Sequence, residues 1–135
     1  MDAVLLRVGI DLVQVSRIAE SIAQFGDRFL NRIFTEGEIA YATAAPGQTV
    51  ERLAARFAAK EATLKALNLV DVGIAWRDIE VCRQATGACR LELHGAAASA
   101  AAAAGAAALA LSMSHEGDYA TAIVLTHIRA EGLSP

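Results

Sequence analysis

The segment from Thr49 or Val50 to Leu67 constrains this chain more than any other, because Leu53, Phe57 and Leu64 recur on one stripe of a helical pattern. At 1.5 Å per residue such a helix is roughly 27 Å long, close to the diameter of a small domain. Everything else must therefore be arranged around it. Val4 to Val15 is rich in valine, leucine and isoleucine and reads as a strand. Ser16 follows as a candidate cap for a helix over Arg17 to Phe25, which Gly26 ends. Asp27 to Ile33 adds a helical turn or two, and Thr35 with Glu38 has the spacing of a capping box for a further short helix closed by Pro46-Gly47.

Beyond the central helix the periodicity changes. Ile79 to Cys82 and Arg90 to His94 alternate apolar and polar residues around Thr86-Gly87, as a hairpin of half-buried strands does. Ala96 to Ala108 is built of the best helix former, with Gly105 as a stop signal. Leu109 to Ser114 and Tyr119 to Ile128 are strand-like and are joined through the turn signal Gly117-Asp118. The order of elements predicts an α+β fold, with an antiparallel sheet and a long central helix.

With 135 residues, 55% of them hydrophobic, the chain suits one domain spanning residues 1–135. Much of that fraction is alanine, which buries little area, so a modest core and self-association are expected. A net charge of -3 argues against general electrostatic binding to nucleic acid or to an anionic membrane. Met1 to Arg7 lacks the pattern of an export signal, and Gly95 to Met113 has too few large apolar side chains for a convincing membrane span. Cys82 and Cys89 lack metal-site spacing and read as reduced thiols. A soluble, cytoplasmic protein is expected.

A small set of residues can carry chemistry. Asp11 interrupts an apolar strand directly after Gly9-Ile10, so it is either exposed at a strand end or, if buried, paired, hydrogen-bonded or metal-bound. Arg52, Arg56 and Lys60 recur every fourth residue on the central helix, while Glu61 and Lys65 form a pair one turn apart. These are either a solvated helix face or an anion-handling one. In the second case Asp11 and Glu61 would form a sparse magnesium site completed by substrate phosphates. His115 follows a strand beside Ser112 and Ser114, where it is a loop residue or one of a set of phosphate donors. No glycine-rich phosphate loop, dinucleotide fingerprint, paired-histidine zinc motif or nucleophile elbow is present.

Taken in order, Gly9-Ile10-Asp11-Leu12-Val13 with Arg17-Ile18, Phe34-Thr35-Glu36-Gly37-Glu38, Arg56-Phe57-Ala58-Ala59-Lys60-Glu61-Ala62 and Ser112-Met113-Ser114-His115 resemble the holo-acyl-carrier-protein synthase family of 4'-phosphopantetheinyl transferases. The resemblance implies transfer of the phosphopantetheine arm of coenzyme A to a serine of apo acyl carrier protein, with release of adenosine 3',5'-bisphosphate. Asp11 and Glu61 would hold Mg²⁺ against the coenzyme A pyrophosphate, and Glu61 or a metal-bound water is the candidate base. Lys65 would donate to the departing bisphosphate, and Arg52, Arg56 and His115 would hold phosphates of coenzyme A. The family is associated with homotrimers whose active sites lie between subunits. Its carriers are acidic, which makes Arg17, Arg28 and Arg32 the candidate docking residues.

Two departures stand out. Where the family often has Thr-Gly-Lys-Pro, this chain has Thr86-Gly87-Ala88-Cys89, and its helix from Ala96 to Ala108 is bare of charge. Two rivals use the same residues: an inactive carrier-binding module, which would give no transfer, and a magnesium-dependent nucleotide hydrolase, which would turn over nucleotides without a carrier.

Overall fold

The computed structural model describes residues 4–129. In chain order the elements are β1 (Val4–Gln14), α1 (Val15–Phe25), α2 (Asp27–Ile33), α3 (Glu36–Thr43), α4 (Thr49–Ala66), β2 (Ile79–Arg83), β3 (Cys89–Leu93), α5 (Gly95–Ala103), β4 (Ala110–Glu116) and β5 (Tyr119–Arg129). Short 3₁₀ turns at Pro46–Gln48 and Trp76–Asp78 precede α4 and β2. The expected α+β class and antiparallel pairing are found. Of the N-terminal segment read as lacking an export signal, Met1 to Ala3 lie outside the described residues.

Strand β1 pairs along its whole length with β5, which pairs in turn with β4, giving an antiparallel sheet in the order β1-β5-β4. The hairpin β2-β3 forms a separate sheet. Helix α4 runs between the larger sheet, the early helices and the hairpin, and its alanines 54, 55, 58, 59, 62 and 66 are buried along with Leu53 and Leu64. Small side chains allow the sheet to come close. Gly9 on β1 takes this to its limit, since a Cβ there would stand 1.9 Å from the Ala62 carbonyl oxygen and 2.7 Å from the Ala66 amide nitrogen. Each larger side chain adds anchorage of about 1.5–3 kcal/mol when fully buried, and Phe34, Leu53, Ile79 and Val124 are the largest apolar ones so enclosed.

Several local expectations change. Ser16 is not the cap of α1: the helix begins at Val15, and Gln14 makes no side-chain cap. Its first amides are met from the β4-β5 turn instead, where the Asp118 carbonyl accepts from Val15 N at 2.8 Å and the Asp118 carboxylate from Ser16 N at 2.9 Å and Ser16 Oγ at 2.6 Å. A distant aspartate thus satisfies donors that a local serine was expected to meet. Helix α5 stops at Ala103 rather than Ala108, because Gly105 takes φ +71° and Ala106 then bridges to Ile128. The capping box of α3 is formed as expected, with Glu38 N donating to Thr35 Oγ1 at 3.2 Å and Thr35 N donating to Glu38 Oε1 at 2.9 Å.

Cys82 and Cys89 are both free. They occupy alternate positions of the β2-β3 register, Cys82 opposite Arg90 and Cys89 opposite Arg83, so their side chains point to opposite faces of the hairpin. Burial and the Glu92 carboxylate that accepts from the Cys82 thiol push that thiol up to about 11.

Candidate active site

Asp11 sits opposite Ala122 in the β1-β5 register, and Ala122 is buried, so the Asp11 carboxylate faces α4. Thr121 Oγ1 donates to the Asp11 carbonyl oxygen at 2.8 Å and holds the strand at that point. Across from it, α4 is buried on nearly every side. What remains open on this side is the stripe Phe57, Glu61 and Lys65, spaced four residues apart. Lys65 Nζ donates to Asp11 Oδ1 at 3.1 Å and to the Ile10 carbonyl oxygen at 3.0 Å. Asp11, Arg17, Phe57, Glu61, Lys65 and Tyr119 line one cleft of about 610 Å³.

The electrostatics of this cleft are unbalanced. Burial, and then the neighbouring Asp11, raise the Glu61 carboxyl above the ordinary carboxylate value, and Lys65 only partly offsets them. Among the described residues no hydrogen bond reaches the Glu61 carboxylate. Two carboxylates share one lysine, and a hard cation with oxygen ligands would remove the repulsion between them. The donor set therefore fits Mg²⁺ or a similar ion, with room for water and phosphate oxygens.

The basic stripe of the sequence reading is divided by the structure. Lys60 is wholly buried and is no part of an anion surface: its Nζ lies 2.8 Å from Glu38 Oε1 and donates to the carbonyls of Trp76, at 3.2 Å, and Ile79. Phe57, expected on the core stripe with Leu53 and Leu64, is only half-buried and stacks on Trp76 with ring centroids 5.1 Å apart. Arg52 and Arg56 turn to a second pocket of about 260 Å³, together with Tyr41, Arg83, Cys89 and His115. Arg56 is 3% exposed, and its Nε has no hydrogen-bond partner. Burial, with Arg52 nearby, pushes its guanidinium below its ordinary value.

His115 belongs to β4 rather than to a loop, and it pairs with Ala120 at the helix-facing side of the sheet end. Ser112 and Ser114 alternate to the other face, opposite Ile123 and Thr121. The expected cluster of donors is thus split. A groove lined by Leu12, Ser114, His115 and Tyr119 nevertheless shares residues with both the acidic cleft and the arginine pocket. On the far side, Arg28 and Arg32 flank an apolar cleft with Phe25 and Trp76, which shares Ser21, Phe29 and Phe57 with the acidic one. Tyr119, Tyr41 and Arg83 are the site-lining residues that sequence reasoning missed, since each reaches its pocket through pairing or packing between distant segments.

The family model of the 4'-phosphopantetheinyl transferase superfamily matches residues 7–124, which include Asp11, Glu61, Lys65 and His115. The holo-[acyl-carrier-protein] synthase of Koribacter versatilis is 47% identical over 90% of this chain and 97% of that relative. Among solved structures, the ACPS–CoA complex of Chronobacterium ammoniagenes superposes with a TM-score of 0.80 at 34% identity, covering 90% of this chain and 96% of that one. The holo-[acyl-carrier-protein] synthase of Helicobacter pylori in complex with coenzyme A gives 0.75 at 26% identity, covering 90% and 98%. With its acidic cleft, its arginine pocket and these relatives, the chain belongs to the holo-[acyl-carrier-protein] synthase family of the 4'-phosphopantetheinyl transferase superfamily.

Proposed function

We propose that this protein transfers the 4'-phosphopantetheine group of coenzyme A to a serine hydroxyl of an apo acyl carrier protein, giving holo carrier and adenosine 3',5'-bisphosphate. The observation that carries this reading is the convergence of Asp11, Glu61 and Lys65 in one cleft, in a chain of this family. In the reaction the serine oxygen bonds to the phosphorus bearing the pantetheine arm, and the bond from that phosphorus to the bridging oxygen of the bisphosphate breaks. Asp11 and Glu61 would hold Mg²⁺, which supplies charge neutralisation at the pyrophosphate oxygens. Glu61 takes the serine proton, a role suited to a carboxylate of raised pKa with no competing hydrogen bond. Lys65 has a third N–H beyond those given to Asp11 and Ile10 and donates it to the departing phosphate oxygen. Arg52, Arg56 and His115 hold phosphates at the nucleotide end of coenzyme A, consistent with the shared groove. Intact mass of an apo carrier incubated with the enzyme, coenzyme A and Mg²⁺ tests the reading. The carrier is expected to gain one arm per reactive serine, and no gain with several carriers would refute it.

Carrier docking falls to Arg17, Arg28 and Arg32, whose helices border the apolar cleft beside the acidic one. Because Arg17 also lines the acidic cleft, Arg28 is the cleaner position to test. Arg28→Glu is expected to raise KM for the carrier by roughly tenfold, as charge reversal slows encounter with an acidic partner. KM for coenzyme A should stay unchanged, and an unchanged carrier KM would remove Arg28 from the docking surface.

The protein assembles as a homotrimer in this reading, its sites completed at subunit boundaries. Support comes from the outer face of β1 and β5, where Leu6, Val8, Ile10 and Leu12 are 68%, 59%, 60% and 64% exposed beside Ile123 and Leu125. So continuous an apolar face is characteristic of an interface. Among the described residues no helix is long and apolar enough to cross a membrane. A cytoplasmic setting agrees with two free cysteines on opposite faces of a hairpin. The chain is read as one transferase domain, in keeping with a helix α4 that contacts both sheets.

A further inference from the structure

The two cysteines of the β2-β3 hairpin have opposite surroundings. Cys82 donates to the Glu92 carboxylate, and burial together with that carboxylate pushes its thiol up to about 11. Cys89 lines the arginine pocket instead. It is directly opposite Arg83 in the strand register, where paired side chains share a face with Cβ atoms roughly 4.5–5.5 Å apart. Three guanidiniums gather there on one ring from α3: the Cζ atoms of Arg52, Arg56 and Arg83 lie 4.1, 4.3 and 5.2 Å from the centroid of Tyr41. Cys89 stands where the family often has proline, so the thiol belongs to this chain and not to the common site.

The pocket is built for an anion. Among the described residues none of these arginines forms an ion pair with a carboxylate, and Arg56, which is 3% exposed, keeps a buried Nε with no hydrogen-bond partner. Of the groups whose charge offsets the burial of Arg56, Cys89 acts most strongly, which places its sulfur beside that guanidinium. Thiols react with hydrogen peroxide through the anionic form, so a thiol among cations is attacked ahead of one beside a carboxylate. With one peroxide an S–O bond forms as the O–O bond breaks, the sulfur is oxidised, and sulfenic acid and water result. A second peroxide gives sulfinic acid and water, and the acid releases its proton to solvent. The sulfur then carries an anion with two acceptor oxygens, held among the arginines by its own side chain.

We propose that Cys89 is an oxidation site whose sulfinate fills the arginine pocket and shuts coenzyme A out. The enzyme thereby makes its own inhibitory anion when peroxide reaches the pocket. A phosphate already bound there covers the thiol, so the loaded enzyme resists the change. The proposal rests on the coenzyme A reading above, which gives the pocket its ligand, and adds control of that pocket by an oxidant. Asp11, Glu61 and Lys65 lie in the other cleft, so the change acts on the binding of coenzyme A and leaves the transfer step alone.

The test treats wild type, Cys82→Ser and Cys89→Ser with hydrogen peroxide, with and without adenosine 3',5'-bisphosphate, which has no thiol of its own. Catalase and dithiothreitol follow, so that sulfinate is what remains on a cysteine. Peptide masses and transfer kinetics are then read, each protein against its own untreated sample. In wild type and Cys82→Ser the Cys89 peptide should gain about 32 Da, two oxygen atoms, and KM for coenzyme A should rise at least about tenfold, as a like charge in the phosphate's place would cause. The bisphosphate should suppress both effects, and Cys89→Ser should keep its KM. Cys89→Asp, which places a carboxylate there without any oxidant, should show the raised KM from the start. The peptide masses stand even if that variant folds poorly. Oxidation of Cys82 ahead of Cys89, an oxidised Cys89 with KM unchanged, or a loss shared by Cys89→Ser, in which Met113 is the other oxidisable group of the pocket, would each overturn the proposal and leave the coenzyme A reading intact. An untreated wild type that transfers nothing would overturn both.

Discussion

Asp11→Ala and Glu61→Ala should each cut phosphopantetheine transfer by roughly 10²–10³-fold, the scale seen when one group that stabilises developing charge is removed. The two carboxylates are placed on separate elements, one on β1 and one on α4, and neither is a mainstay of the core. Removing either should leave the thermal midpoint near that of the wild type. Indeed Glu61→Ala relieves a repulsion, since Asp11 and burial together raise the Glu61 carboxyl. Intact-mass kinetics of the apo carrier, with Mg²⁺ varied, gives the readout. Both variants should need more Mg²⁺ for half-maximal rate, and, with Glu61 as the proposed proton acceptor, Glu61→Ala should remain slow at saturation. Transfer that survives both changes would keep the reaction and discard this cleft as its site.

Glu38→Ala is expected to destabilise the fold by about 3–5 kcal/mol, as breaking one side of a buried ion pair does. Glu38 is 1% exposed and meets the donors of three segments: Thr35 N of its own cap, Lys60 Nζ on α4, and Val81 N on β2 at 2.9 Å. Truncation leaves the Lys60 ammonium enclosed with only carbonyl partners. Burial already lowers the Lys60 pKa and Glu38 holds it up, so the variant must lose the proton or admit water. Denaturant unfolding measures the effect. The double variant Glu38→Gln with Lys60→Met should recover part of the loss, because no buried charge remains, although the single glutamine oxygen can accept from only one of Thr35 N and Val81 N, which meet different oxygens of Glu38. A single-variant cost below about 1 kcal/mol would mean that solvent reaches this pair, contrary to its burial.

The contrast between Glu38 and Glu61 also shows what the sequence discloses. Local signals were legible: the capping box at Thr35 and Glu38, the stop at Gly26, the alternation of β2 and β3, and the length of α4 each depend on neighbours within a few residues. The placement of Asp11 opposite Glu61 and Lys65 came from the family resemblance, and the structure supplies its geometry. Helical periodicity could not tell which stripe of α4 stays open, because the helix is covered from several directions and its faces share a mixture of alanine and charge. Lys60 therefore looked like a surface lysine until its partner, 22 positions away in the chain, was in view. The same limit hid the arginine pocket, whose members are joined by a ring from α3, and the cap of α1, which comes from Asp118. Signals that need a tertiary neighbour have no local trace.

Gly9 gives the acidic cleft a property of another kind. At most packed positions an enlarged side chain can be accommodated by trimming its neighbour, and sequences wander through such paired exchanges. Here the neighbours are the carbonyl oxygen of Ala62 and the amide nitrogen of Ala66, atoms that other substitutions would leave in place. No exchange of side chains on α4 can make room for a methyl group on β1. The separation between the strand that carries Asp11 and the helix that carries Glu61 is thus set by the thickness of two backbones, and mutational drift in the surrounding core has no means of adjusting it.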